Sequence, residues 1–196
     1  MKVASKFLLL ALCMLAIVGC ENSKKASKSD SKVSVNLVKN GDFSRWSKGD
    51  NQAPDHPDYW DYYFTNSNYQ KAKFAYMGEY SVLLTAKSGK GINPSVYQKI
   101  SNQEKPTKYW HGKNVSIGCW VYSTTLSAQI VATNWKTINV ATARSTVLNK
   151  WEWLTATGTI PDDMSGDFCV SCQIISDTGT AYFTGFTLVE GKSISN

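Results

Sequence analysis

Val115-Ser116-Ile117-Gly118-Cys119-Trp120-Val121-Tyr122 alternates without a break. Val115, Ile117, Cys119 and Val121 share one phase, and Ser116, Gly118, Trp120 and Tyr122 share the other. Period two is the signature of an extended strand, whose successive side chains point to opposite faces. One face of this strand is core and the other is available, and the available face carries two large aromatics. The same texture recurs outward in both directions, in Tyr80–Thr85, Ser95–Ile100, Gln129–Ala132, Trp153–Ile160, Phe168–Ile175 and Ala181–Val189. Turn signals separate these runs: Lys87-Ser88-Gly89-Lys90-Gly91, His111-Gly112-Lys113-Asn114 and Asp177-Thr178-Gly179. Seven or more short strands with no helical period predict an all-β sandwich of two antiparallel sheets. Residues 44–79 are the least regular part.

The whole chain has 196 residues, 42% hydrophobic and 12% aromatic, which is enough for one domain with a well-filled core. Only two histidines are present, His56 and His111, so a multi-histidine metal centre is excluded. A Ser-His-Asp or Cys-His scheme would have to use one of these two. No phosphate loop, nucleophile elbow or zinc spacing occurs.

At the N-terminus, Lys2 and Lys6 precede the apolar run Phe7–Val18, too short to span a bilayer comfortably, and the run closes on Ile17-Val18-Gly19-Cys20. The ending resembles the bacterial lipobox, which implies a signal peptide over 1–19 and lipidation of Cys20, with palmitate among the chains expected there. Each buried lipid methylene contributes about 0.8 kcal/mol, so several chains on Cys20 would anchor the protein to a membrane. Glu21–Lys32 holds four lysines, two acids and a single alanine as its apolar content, the composition of a flexible tether over 20–33. Six of the 21 basic and two of the 15 acidic residues precede residue 34, leaving 15 against 13 in 34–196. The domain itself is nearly neutral, which argues against nucleic acid as a partner.

Further motifs carry a family resemblance across 34–196. Asn36-Leu37-Val38-Lys39-Asn40-Gly41-Asp42-Phe43 is similar to the opening strand of carbohydrate-binding modules of families four, nine and twenty-two. In order after it come Gly78-Glu79-Tyr80-Ser81, Tyr97-Gln98-Lys99-Ile100, Gly112–Val121, Trp151 with its strand, Ile160-Pro161-Asp162, Ala181-Tyr182-Phe183 and Leu188-Val189-Glu190-Gly191. The resemblance implies a galactose-binding-like β-jelly roll. Family members commonly hold a structural calcium with acidic side chains after the opening motif and in the last strand. Here those places are Ser44, Thr184 and Gly185, so the usual carboxylates are missing and only Asp42 and backbone carbonyls remain to contribute. No other cofactor or metal is expected.

A pyranose offers an apolar C–H face and a belt of hydroxyls, so its site needs exposed rings with amides, hydroxyls or carboxylates around them. Trp135, in the polar stretch Thr133-Asn134-Trp135-Lys136-Thr137, resembles the place where some family members stack an aromatic on glycan. Asn134 stands beside it. Trp120 and Tyr122 lie on the strand face opposite the core, where Trp120 either meets sugar or packs beneath a loop. Of Tyr97 and Gln98, adjacent and opposite in phase, one reaches the cleft, and Gln98 is the polar candidate. In Tyr59-Trp60-Asp61-Tyr62-Tyr63-Phe64, Trp60 goes to the core and Tyr63 with Asp61 join the candidate site.

Acidic clusters at Asp55, Asp58 and Asp61 with His56, and at Asp162 with Asp163, invite comparison with glycosidase carboxylate pairs about 5 Å or about 6.5–9.5 Å apart. Their flanking prolines Pro54, Pro57 and Pro161 read as turn chemistry instead. Beyond Cys20, the domain keeps Cys119, Cys169 and Cys172. Cys119 and Cys172 share the core phase, and the alternatives are a disulfide between them or three buried free thiols. The expected protein is thus a lipid-anchored module of the bacterial cell envelope, outside the cytoplasm, that binds polysaccharide without hydrolysing it. The alternative is a surface lipoprotein using the same jelly roll for contact with other envelope proteins or as a structural part.

Overall fold

The alternating segments form strands close to their expected positions, joined by shorter ones that the sequence marks only faintly. In chain order these are β1 (Trp46–Ser47), β2 (His56–Pro57), β3 (Asp61–Tyr63), β4 (Tyr69–Ala72), β5 (Ser81–Ala86) and β6 (Ser95–Lys99). A one-turn helix, α1 (Thr107–Trp110), precedes β7 (Asn114–Ser123), β8 (Ala128–Thr133), β9 (Asn139–Arg144), β10 (Trp151–Thr159), β11 (Cys169–Ile174) and β12 (Gly179–Glu190). The structure, a computed structural model, describes residues 35–48, 55–63, 69–87 and 93–194. Ser34–Asn196 form a compact unit by their own contacts. The leader, the tether and Cys20 lie outside the described residues. Among the described residues no helix is long and apolar enough to cross a membrane.

Two five-stranded antiparallel sheets make the sandwich, ordered β10-β7-β12-β5-β4 and β3-β6-β11-β8-β9, with β1 and β2 as a separate pair. The last strand, β12, runs between β5 and β7, so sheet neighbours are far apart in sequence, the winding of a jelly roll. The core lies where the inward phases meet: Val82, Leu84, Val115, Ile117, Cys119, Val121 and Phe183 from one sheet, and Val96, Ile130, Ala132, Val170, Cys172 and Ile174 from the other. Burying each aliphatic side chain of this set contributes roughly 1.5–3 kcal/mol. Within β12 the pairing shifts between Thr184↔Trp120 and Thr187↔Gly118, an extra residue that forms a bulge around Gly185 at φ +68. Ahead of it Ala181 and Phe183 point inward, and beyond it Phe186 and Leu188 do. The bulge resets the phase so that both halves of the strand serve one core.

The segment before β1 is tied down without being a strand. Leu37 N–H donates to the Leu188 carbonyl at 2.8 Å and Phe186 N–H to the Gly41 carbonyl at 2.7 Å. The Asn36 amide accepts from Leu188 N–H at 3.0 Å and donates to the Phe186 carbonyl at 3.1 Å. Trp60 takes its expected core place, 4.9 Å from Phe43 and 5.5 Å from Phe186 between ring centroids.

Cys119, Cys169 and Cys172 are free thiols, so the Cys119–Cys172 disulfide is not formed. The two sulfurs do meet across the core in a hydrogen bond, and burial first, then this contact, pushes the Cys172 thiol well above its ordinary range. The Cys119 thiol donates to the Thr184 carbonyl at 3.3 Å. Burial pushes the Cys169 thiol up to about 12. Thiols held neutral and buried are poor nucleophiles. A thiol-exchange reagent at pH 8 is therefore expected to label none of them in native 34–196 and all three in denaturant, whereas a disulfide would leave one.

Candidate functional site

On the outward face of the β3-β6-β11-β8-β9 sheet, the central strands carry residues that point away from the core yet are buried. Val131 and Ser171 are fully covered, with Cys169, Thr133 and Gln129 nearly so. That face is therefore sunk below its rims as a trough. Three adjoining cavities run along it. One of about 400 Å³ is lined by Asp61, Tyr97, Lys99, Trp135, Lys136 and Asp167. It shares Lys99 and Asp167 with a cavity of about 570 Å³ reaching Ser101, Asn102 and Thr107. It shares Trp135 and Lys136 with one of about 210 Å³ bounded by Gln129, Asn139 and Gln173.

Trp135 stands in the wall between two of these cavities. It is half-buried and meets Tyr97 edge to face, with ring centroids 5.0 Å apart and planes at 74°. Cys169 lines the same cavity, and burial outweighs every influence there that would favour its thiolate. The backbone of Trp135 sits at φ +62, a conformation costly for a bulky residue and held here by its turn. The Asn134 side-chain oxygen accepts from the N–H groups of Lys136 at 3.0 Å, Thr137 at 3.0 Å and Ile138 at 2.9 Å. Its amide nitrogen donates to the Ser165 carbonyl at 3.0 Å, and Trp135 N–H donates to the Thr133 hydroxyl at 3.0 Å. Asn134 thus lines the trough but is occupied in building the turn that presents Trp135, rather than open to ligand.

Polar groups flank the ring pair. Lys99 and Asp167 form an ion pair of 2.8 Å, and the hydrogen bond from Lys99 to Asp167 raises the ammonium above its ordinary value. Asp61 is exposed on β3, paired in register with Tyr97. Tyr63 pairs through its backbone with Ser95, and its side chain lies outside the described residues.

Gln98 turns the other way and is a correction to the sequence reading. It lies on the core phase, where its amide donates to the Lys39 carbonyl and accepts from the Lys39 N–H, both at 2.8 Å. Tyr97 is the member of that pair in the trough. Trp120 and Tyr122 also stand apart from Trp135, because β7 belongs to the other sheet. Tyr76 stacks on Trp120 with centroids 3.6 Å apart, and Trp153 lies 5.6 Å away on Gly118, which leaves the room for its ring. Phe74 meets Tyr122 at 4.9 Å, Tyr182 at 4.8 Å and Trp151 at 5.3 Å. The segment 73–77 thus already covers both candidates. Missed from the sequence are Lys99 with Asp167, and Lys136. Lys99 shares the phase of Tyr97, and that spacing was the available signal.

Among the described residues, no three His, Cys, Asp or Glu side chains gather to hold a metal. At the positions where relatives of this fold carry calcium carboxylates, the Thr184 hydroxyl reaches the Met77 carbonyl at 3.0 Å and the Tyr80 carbonyl at 3.2 Å. Ser44 bonds to Asp42 at 3.1 Å. The side-chain carboxylates that a hard cation favours are thus missing at these positions, and Asp42 is the acidic side chain beside them.

No protein-family model and no curated protein matches the sequence. Solved structures share its fold. A family 16 carbohydrate-binding module aligns with 79% of this chain and 100% of its own, at 18% identity and TM-score 0.54. A CBM4 module aligns with 79% of this chain and 99% of its own, at 18% identity and TM-score 0.54. A cyclase from Fischerella sp. aligns with 83% of this chain and all of its own, at 13% identity and TM-score 0.56. The fold is therefore the jelly roll of carbohydrate-binding modules, a scaffold that also occurs in an enzyme, and function has to be argued from the site.

Asn134→Ala removes the acceptor of three amides and leaves Trp135 without its turn. A loss of about 1–3 kcal/mol in denaturant unfolding is expected, with a red-shifted Trp emission in the native state.

Proposed function

We propose that the protein binds polysaccharide without cleaving it, as a module held to the bacterial cell envelope by lipid on Cys20, outside the cytoplasm. The observation that carries this reading is the Trp135–Tyr97 pair set into a long trough with hydrogen-bonding side chains along both sides. A half-exposed indole gives a sugar's C–H face a stacking surface, and Asp61, Gln129, Gln173 and Asn139 offer partners to its hydroxyls. The fold shared with carbohydrate-binding modules supports the same reading. Trp135 is the stacking residue, Tyr97 supports it, and Asn134 positions it. Acid–base hydrolysis needs two carboxylates free to act across the sugar. Of the two in the trough, Asp167 is engaged by Lys99, leaving Asp61 without a second. The binding is metal-independent, with the Thr184 hydroxyl standing where a calcium ligand would.

One observation favours a second reading, contact with another envelope protein. Phe74, Tyr76 and Met77 expose 42–53% of their surface over the opposite sheet, an apolar patch such as an interface core would cover.

Both readings meet in one experiment, retention of 34–196 by a panel of soluble and insoluble polysaccharides. Retention by one glycan class is expected, unchanged by EDTA and without released sugar, and Trp135→Ala should weaken it by about 1–3 kcal/mol, taking a stacked base as the guide to a stacked ring. Retention that survives Trp135→Ala would rule out this trough. No retention by folded protein would favour the protein contact.

A further inference from the structure

If the trough holds a glycan, as proposed for it, its charges define the kind of glycan. Three cations lie along this face, Lys99, Lys136 and Arg144, with the carboxylates Asp61 and Asp167. Lys99 and Asp167 answer each other at 2.8 Å. Asp61 stands on β3, at one edge of the sheet. Lys136 and Arg144 belong to the opposite side, in the β8–β9 turn and on β9, and neither has a carboxylate partner among the described residues.

Arg144 is held in place by its head group, and Lys136 by its stem and backbone. The Lys136 stem lies along Gly166, where an added Cβ would come 3.4 Å from its Cε and 3.6 Å from its Cδ, and its backbone is fixed by Asn134. Its side chain lines the cavities on both sides of Trp135. The Arg144 Nε–H donates to the Gln129 side-chain oxygen at 2.9 Å, and Gln129 is itself a buried wall of the trough. Cations fixed before binding lose little side-chain freedom when an anion arrives.

We propose that the trough selects a glycan bearing acidic groups, carboxylate or sulfate, with one sugar stacked on Trp135 and its acidic group at Lys136, and a neighbouring acidic group at Arg144. Such contacts on a wet surface are screened by salt.

The test compares 34–196 on polygalacturonate beside its carboxyl-reduced form, and on a sulfated galactan beside its desulfated form, at low and high salt. Tighter binding of an acidic polymer than of its neutral counterpart is expected, with the gap narrowing in high salt, and the two pairs tell carboxylate from sulfate. Lys136→Gln and Arg144→Gln should each weaken the acidic polymer about three- to fivefold, the scale of one exposed ion contact, and leave the neutral one unchanged. Lys73→Gln, an exposed change beyond β4 of the other sheet, should do neither. Equal binding of acidic and neutral forms overturns the proposal. So does a loss with Lys73→Gln as large as with Lys136→Gln, which would mark diffuse charge attraction. Binding of neutral glycans with sensitivity to Trp135→Ala but none to Lys136→Gln overturns the charge selection and leaves the glycan reading standing. A wild type that binds neither these polymers nor any of the broader polysaccharide panel overturns both.

Discussion

Each strand can commit only one of its faces to the shared core, and everything on the surface of this molecule follows from that choice. On β11 the choice is Val170, Cys172 and Ile174, and on β8 it is Ala128, Ile130 and Ala132. Ser171, Cys169 and Val131 are thereby forced outward, small or slim residues that make a floor rather than a wall. The rims come from longer side chains at the sheet edges and in the turns. The bulge at Gly185 lets β12 obey the same constraint along its whole length, since without the phase shift either Phe183 or Leu188 would face solvent.

The two outer faces resolve the same problem differently. Over β7, β10 and β12, chain residues 73–77 lie across the rings of Trp120, Tyr122, Trp151 and Tyr182, so aromatic surface is matched within the molecule. Over β6, β11 and β8, the comparable aromatic surface is Trp135 and Tyr97, and the sunken face stays open along its length. An aromatic left beside water in a trough lined with amides and charges is suited to a ligand that is part apolar and part hydroxylated.

Alternation made the long strands and the sandwich legible in the sequence, because period two survives any change of partner strand. β9 was not, since Asn139-Val140-Ala141-Thr142-Ala143-Arg144 is an edge with small residues and little apolar contrast. Of the residues that line the trough, Trp135 and Asp61 were legible in the sequence, and the others less so. Tyr97 and Gln98 have opposite phases, and Val96 and Ile100, which share the phase of Gln98, mark that phase as the inward one against the polarity of Gln98 itself. A buried Gln is tolerated there only because the Lys39 backbone supplies both its partners, a contact 59 residues away. Trp120 looked available because the residue stacked on it, Tyr76, comes from the least regular stretch. Cys119 and Cys172 were placed together correctly by phase, but proximity of sulfurs does not decide whether they are bonded. The expectation for Cys20 stands on its sequence pattern alone.

The way residues 36–41 are fastened also bears on how the domain carries load. Their ties run to residues 186–188, a handful of backbone and amide hydrogen bonds arranged one after another along β12. Tension applied at residue 35 would reach the Asn36 amide bonds first, then the Leu37 bond, and peel the rest in turn. The reciprocal amide pair of Gln98 with Lys39, rooted in the other sheet, acts as a clamp in the middle of that path. Pulling from the N-terminal side therefore loads one buried glutamine before it reaches the residues beyond Lys39.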